Sequence, residues 1–176
     1  MFNFFKKKKE PDYDPLNIQV TDLKKGFIFD YDLSQWEIKE EYTYDWGDNF
    51  FTKEYKVSDG DKTLFLSVEE DDEVEISVGE KIRLSSFEED IESEITKNGR
   101  PPKKIHYNGE TFRREEESPG YFNDGGSDWV EMISWDYYNS DESQVITIEQ
   151  WGEREFDASI GKPIEAYEIS NITPIE

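Results

Sequence analysis

Trp36-Glu37-Ile38-Lys39-Glu40-Glu41-Tyr42-Thr43-Tyr44-Asp45-Trp46 decides the fold class. Trp36, Ile38, Tyr42, Tyr44 and Trp46 share one parity, and Glu37, Lys39, Glu41, Thr43 and Asp45 share the other. Period-two alternation puts successive side chains on opposite faces of a pleated strand, so one face is expected to be core and the other to meet water. Working outward, strands are expected at 54–57, 63–68 and 73–78, with Ser58-Asp59-Gly60-Asp61 turning the chain between the first two. This reads as a meander.

Composition supports the strand reading. The 176 residues include 16 Ile against 6 Leu and 2 Ala, which removes the best helix formers and leaves residues that suit a pleated surface. Net charge is −23 with 43 acidic and 20 basic residues, a balance that leans toward disorder, but 27 aromatics provide a core that disordered chains lack. The expected protein is ordered, mostly β, and strongly acidic outside.

One helix is expected. Ser86-Phe87-Glu88-Glu89 fits a capping box, and Leu84, Phe87, Ile91 and Ile95 recur at spacings that share a helical face. Asn98-Gly99 and Pro101-Pro102 end it, giving an amphipathic helix over about 86–97. Beyond it, Asn108-Gly109 marks a two-residue hairpin that pairs His106 with Thr111 and Ile105 with Phe112. Strands are then expected at 129–138, 144–151, 153–160 and near 164–169, with 119–128 as the longest polar interruption.

The halves resemble each other: Tyr31–Glu41 aligns with Tyr107–Glu117, Val68-Glu69 with Ile148-Glu149, Gly79 with Gly161, and Ile82 with Ile164. The expected architecture is two similar antiparallel β-meander or barrel-like lobes joined by the helix. Its boundaries are a basic, aromatic tail at 1–20, a first lobe at 21–85, a linking helix at 86–100 and a second lobe at 101–176.

The runs PPKKIHYNGETFRREEE, WVEMISWDYY and VITIEQWGEREFDASIG resemble the bacterial domain-of-unknown-function 4178 family, and LFLSVEEDDEVEISVG resembles the same pattern in the first half. The resemblance spans most of residues 22–174 and rests on aromatic and glycine positions. It implies a duplicated, two-lobed or closed β architecture. Family members often occur beside proteins resembling the phage-shock-protein-A family, a spermidine-synthase-like protein and small membrane proteins. That implies a membrane-associated stress system and supplies no catalytic residue.

Several function classes are disfavoured by the residues themselves. Residues 1–9 hold four lysines and no acid, leaving −27 on the remainder, which opposes nucleic-acid binding. With no cysteine, disulfides, thiolate nucleophiles and Cys-based zinc sites are excluded. His106 is the single histidine, no G-x-S-x-G elbow accompanies any serine, and no phosphate-binding glycine loop occurs; His106 reads as a surface strand residue. Carboxylates are too numerous for any pair to signal acid–base catalysis, and Glu69–Asp72, Glu88–Glu94 and Glu115–Glu117 read as solvated charge runs. No metal or cofactor is expected. No apolar run suits a spanning helix or a signal peptide, so a soluble, cytoplasmic protein is expected, at most peripheral to the inner membrane. An unstructured start is the plain reading of the tail; membrane-surface contact through Phe2, Phe4, Phe5, Lys6, Lys7, Lys8 and Lys9 is the sharper one.

Aromatics remain. Trp135-Asp136-Tyr137-Tyr138 puts aromatics on both faces of one strand, and with Trp151 these form the candidate interaction surface: Trp135, Tyr137, Tyr138 and Trp151. Aromatic faces bordered by carboxylates suit ammonium or guanidinium groups. The expected function is that of a non-catalytic acidic binding module, an accessory subunit contacting a basic protein; the alternative is a binder of polyamine or another small oligocation.

Overall fold

The computed structural model describes residues 12–175. Among them lie eleven strands and one α-helix: β1 (Phe27–Tyr31), β2 (Ser34–Asp45), β3 (Phe51–Ser58), β4 (Thr63–Glu70), β5 (Val74–Ile82), α1 (Ile91–Asn98), β6 (Lys104–Tyr107), β7 (Glu110–Asn123), β8 (Val130–Tyr138), β9 (Val145–Gln150), β10 (Phe156–Ile164) and β11 (Ser170–Pro174). The strands form one antiparallel sheet in the order β11-β1-β2-β3-β4-β5-β10-β9-β8-β7-β6. A further pairing of β2 with β7, Asp45 opposite Tyr121, closes the eight strands from β2 through β7 in that order into a ring. Across that ring β5 meets β10 with Gly79 opposite Gly161.

Two buried apolar clusters lie along the sheet. Phe29, Trp36, Ile38, Tyr55, Leu66 and Val78 belong to the first, with Val20 and Leu23 of the segment leading into β1. Phe87, Ile91, Ile95, Phe112, Trp135, Tyr137 and Ile148 belong to the second, so α1 lays its apolar face on strands β7 to β9. The β6–β7 hairpin forms in the expected register, with Asn108 and Gly109 at φ 51° and 79° as a type I′ turn demands.

Several expectations need correction. The alternation from Trp36 to Trp46 does not keep one face. A β-bulge between Ile38 and Glu40 inserts a residue, so Trp36 and Ile38 join the first core while Tyr42, Tyr44 and Trp46 pass to the opposite side. β7 carries a matching bulge between Arg114 and Glu116, and it runs on to Asn123 through residues expected to be loop. The helix begins at Ile91, five residues later than expected. The Glu89 carboxylate is taken by His106, accepting its backbone N–H at 2.9 Å and meeting Nδ1 at 2.6 Å, so it cannot close a capping box. Asp90 caps instead, accepting from Ser93 N at 3.2 Å, and Leu84–Ser86 is a 3-10 turn. Near the end, Ala166–Glu168 is likewise a 3-10 turn, fixed by Glu165 N donating to Glu168 Oε2 at 2.8 Å, and β11 begins only at Ser170.

The expected tail, 1–20, divides. Residues 1–11, with the Phe and Lys residues of the membrane-contact reading, lie outside the described residues. Tyr13 sets its ring edge-on to Phe27 at 5.4 Å and Val20 is core, so the rest is packed. Among the described residues no helix is long and apolar enough to cross a membrane.

Candidate functional site: an acid-walled cavity

The strand faces turned away from the two cores enclose a cavity of about 920 Å³. Its wall is drawn mainly from one parity of the strands: Thr52 and Glu54 from β3, Ser67 and Glu69 from β4, Ser77, Gly79 and Lys81 from β5, Ser134 and Asp136 from β8, Thr147 and Glu149 from β9, Ser159 and Gly161 from β10. Small polar residues leave the space open, and the bulges bring Tyr44 and Glu116 into it. Among the described residues Lys81 is the single cation on the wall, against nine carboxylates.

Those carboxylates form two groups. In the first, the Tyr44 hydroxyl lies 3.2 Å from Glu54 Oε1 and 3.4 Å from Glu149 Oε1. Lys81 Nζ reaches Glu149 Oε2 at 3.2 Å and Asp157 at 3.6 Å, and stands 5.3 Å from the centre of the Phe65 ring. This ammonium held between carboxylates and an aromatic face shows the chemistry the wall can offer. Burial, then Glu149, pushes the Glu54 carboxyl up to about 7; burial also raises Glu149, with Lys81 opposing. Burial works against the Lys81 charge, but Glu149, Asp157 and Glu54 outweigh it and hold the amine above its ordinary value.

Among the described residues the second group has no counter-charge. Glu116 stands opposite Asp136 across β7 and β8, and Glu69 opposite Glu75 across β4 and β5, each a like-charge pair on one face. Burial raises the Asp136 carboxyl to about 6, with Glu116, Glu149 and Glu69 adding to the rise against a 2.6 Å hydrogen bond from Thr147 Oγ1. Glu69 is raised by burial, then by Glu75 and Glu116. Tyr138 is pushed up to about 12 by burial and by Asp136, Glu116 and Glu75. Glu75 and Glu116 sit at the exposed mouth, Asp136 and Glu69 further in. Among the described residues no three such groups converge closely enough to hold a metal ion.

Aromatic rings close one end. Tyr44 stacks on Trp46 at 5.4 Å and 3°, and Phe122 meets Tyr44 at 5.3 Å and Trp151 edge-on at 4.8 Å. Trp46 Nε1 donates to Thr52 Oγ1 at 2.9 Å, whereas Trp151 Nε1 is buried with no partner among the described residues.

The four aromatics expected to form an interaction surface are not brought together. Trp135 and Tyr137 are both 0% exposed, in the second core, where they donate to Glu117 Oε2 at 2.9 Å and to the Pro102 carbonyl at 2.7 Å. Their parity on β8 carries them inward, so they belong to no surface. Tyr138, on the opposite face, lines the cavity, and Trp151 lines a smaller pocket beside it with Phe122, Arg154 and Asp157. His106 lies outside the cavity, held by Glu89. The sequence does not single out Glu54, Lys81, Asp136 or Glu149, and Glu69 falls in a run expected to be solvated; the cavity takes in all five. Their signal is present in the sequence: Ser-x-Glu, Ser-x-Gly-x-Lys, Ser-x-Asp, Thr-x-Glu and Ser-x-Gly on the polar parity of successive strands, where a solvated face would carry long charged side chains throughout.

No solved structure matches the chain. A protein of Aquifex aeolicus (strain VF5), described as uncharacterized, is 28% identical over 171 residues, which cover 97% of this chain and 94% of that one. The family model for the domain of unknown function DUF4178 matches residues 24–166, and the chain therefore belongs to that family.

Proposed function

We propose that this protein is a non-catalytic binding protein whose cavity takes a small organic oligocation, a polyamine being the simplest member of the class. The observation that carries the reading is the set Asp136, Glu116, Glu69 and Glu75, four carboxylates in two like-charge ladder pairs that face one cavity with no cation from the described residues among them. Such pairs oppose folding and persist at a stability cost, which an ammonium ligand offsets. Their spread favours separated charges on a flexible chain over one compact divalent ion, whose ligands must converge. Lys81 over Phe65 supplies the internal precedent for ammonium binding.

The same reading takes the chain as two similar halves about the cavity. Gly79 and Gly161 are 82 residues apart and Asp45 and Tyr121 are 76 apart, offsets that recur in the sequence alignment of the halves, and the bulges at Ile38/Glu40 and Arg114/Glu116 are also 76 apart. A duplication would place the cavity on the axis relating them.

Contact with a basic protein, as an accessory subunit of a bacterial membrane-stress-type system, is the second reading. Phe51, Tyr121 and Trp129 favour it: each is 45–50% exposed, beside Asp45 and Glu131 at the β2–β7 junction.

Thermal unfolding separates these. Spermidine is expected to raise the melting temperature more than NaCl or MgCl2 at equal ionic strength. Equal shifts from all three would mean screening alone and would remove the oligocation reading. An excess seen only with a Lys-rich peptide would favour the protein partner.

A further inference from the structure

The first carboxylate group has fewer hydrogens than its contacts require. Tyr44 Oη carries one hydrogen, yet oxygens of Glu54 and Glu149 lie on it at 3.2 and 3.4 Å. With both carboxylates ionised, one contact is a hydrogen bond and the other sets an oxygen lone pair against a negative oxygen. One added proton resolves this, because a protonated carboxyl donates to the tyrosine oxygen while Tyr44 donates to the other. Lys81 neutralises the Glu149 side, and among the described residues Glu54 makes no ion pair.

Glu54 on β3 is faced by charged or titratable groups from four strands, Tyr44 and Tyr42 on β2, Lys81 on β5, Glu149 on β9 and Asp157 on β10, while β4 sets Ser67 opposite it. Glu69 on β4 and Asp136 on β8 line the same cavity, and Glu149 and Glu69 both act on Asp136. Carboxylates outnumber the single cation in this set.

We infer that a cation entering the cavity binds at Glu54 in exchange for the proton that Glu54 and Glu149 share through Tyr44. One proton leaves to solvent as one ammonium charge arrives, so the buried charge around Tyr44 is unchanged. The inference rests on the oligocation reading above. Because the Glu54 carboxyl is held near 7, the exchange operates around neutral pH.

Isothermal titration with spermidine at pH 7, in phosphate and in Tris, tests this, since the two buffers differ in ionisation heat. Net proton release on binding is expected, and Kd should tighten several-fold from pH 6 to 7.5, a window in which the ligand's amines stay protonated. Glu54→Gln should abolish the release and flatten the pH dependence. Should that variant not fold, carboxyl-carbon NMR of the wild-type protein gives the same answer: a glutamate titrating near neutral in the free protein should lose that titration in the complex. Binding with no proton release and a constant Kd overturns the exchange while leaving the oligocation reading standing. No binding heat at any pH in either buffer overturns both.

Discussion

Gly79 and Gly161 face each other across the β5–β10 junction so closely that a Cβ on Gly79 would lie 2.9 Å from the Ile160 carbonyl oxygen and 3.2 Å from the Gly161 Cα. The reverse holds for Gly161, against the Val78 carbonyl and the Gly79 Cα. Both obstacles are backbone, which cannot rotate aside. An alanine within a strand ordinarily stabilises by lowering the entropy of the unfolded chain, but here the clash decides the sign. Gly79→Ala and Gly161→Ala are each expected to lower stability by about 1–3 kcal/mol in urea unfolding. A neutral or stabilising result for either would show that the two strands can part without cost.

Stability should fall as pH rises from 5 to 8. Glu54 and Asp136 are raised to about 7 and about 6 from ordinary carboxylate values, so the folded protein binds more protons than the unfolded chain in this window. Their contribution is complete below the unfolded values near 4 and is lost as pH climbs through 6 and 7. The loss is on the order of a few kcal/mol. Glu89, lowered by its hydrogen bonds to His106 against the opposing effect of burial, acts with opposite sign, but that contribution is already in place above the ordinary glutamate range. Melting temperatures in matched ionic strength check the slope, and Glu54→Gln should reduce it. A protein more stable at pH 8 than at pH 5 would contradict the buried state of both carboxyls.

Strand alternation made most of the sheet legible, because period two is a property of the backbone that any sequence must obey. What alternation cannot reveal is a bulge. One extra residue near Lys39 moves Tyr44 and Trp46 from the core face to the cavity without changing a letter of the pattern, and Glu115 does the same for β7. The cavity was hidden for a related reason. Ser67, Glu69, Thr147 and Glu149 occupy the polar parity of their strands whether that parity meets bulk water or an enclosed space, and only closure through β2–β7 decides between them. Trp135 and Tyr137 show the opposite limit, since aromatic bulk suggests a binding surface whereas β8 turns both into the core.

Competition for Glu89 makes the helix start testable. Since Asp90 caps α1 and Ser86 is exposed in the preceding turn, Asp90→Ala should cost about 1 kcal/mol, whereas Ser86→Ala should stay within about 0.5 kcal/mol. A larger loss at Ser86 in urea unfolding would restore the capping box that its sequence spacing suggests.

Neutralising the uncompensated carboxylates should move stability and binding in opposite directions. Glu69→Gln with Glu116→Gln removes one charge from each like-charge pair while preserving side-chain size. In the free protein at pH 8 this relieves repulsion, and a gain of about 0.5 kcal/mol per pair is expected. Spermidine at a hundredfold excess over Kd should stabilise the wild-type protein by about 2.7 kcal/mol, and the double variant by much less at the same concentration. Carboxylates that are merely surface charge would give the first effect without the second, since a cation attracted by the general acidity of the chain would feel a change of two in −23 only slightly. A double variant that is stabilised when free yet keeps the full spermidine shift would therefore place the bound cation elsewhere on the molecule.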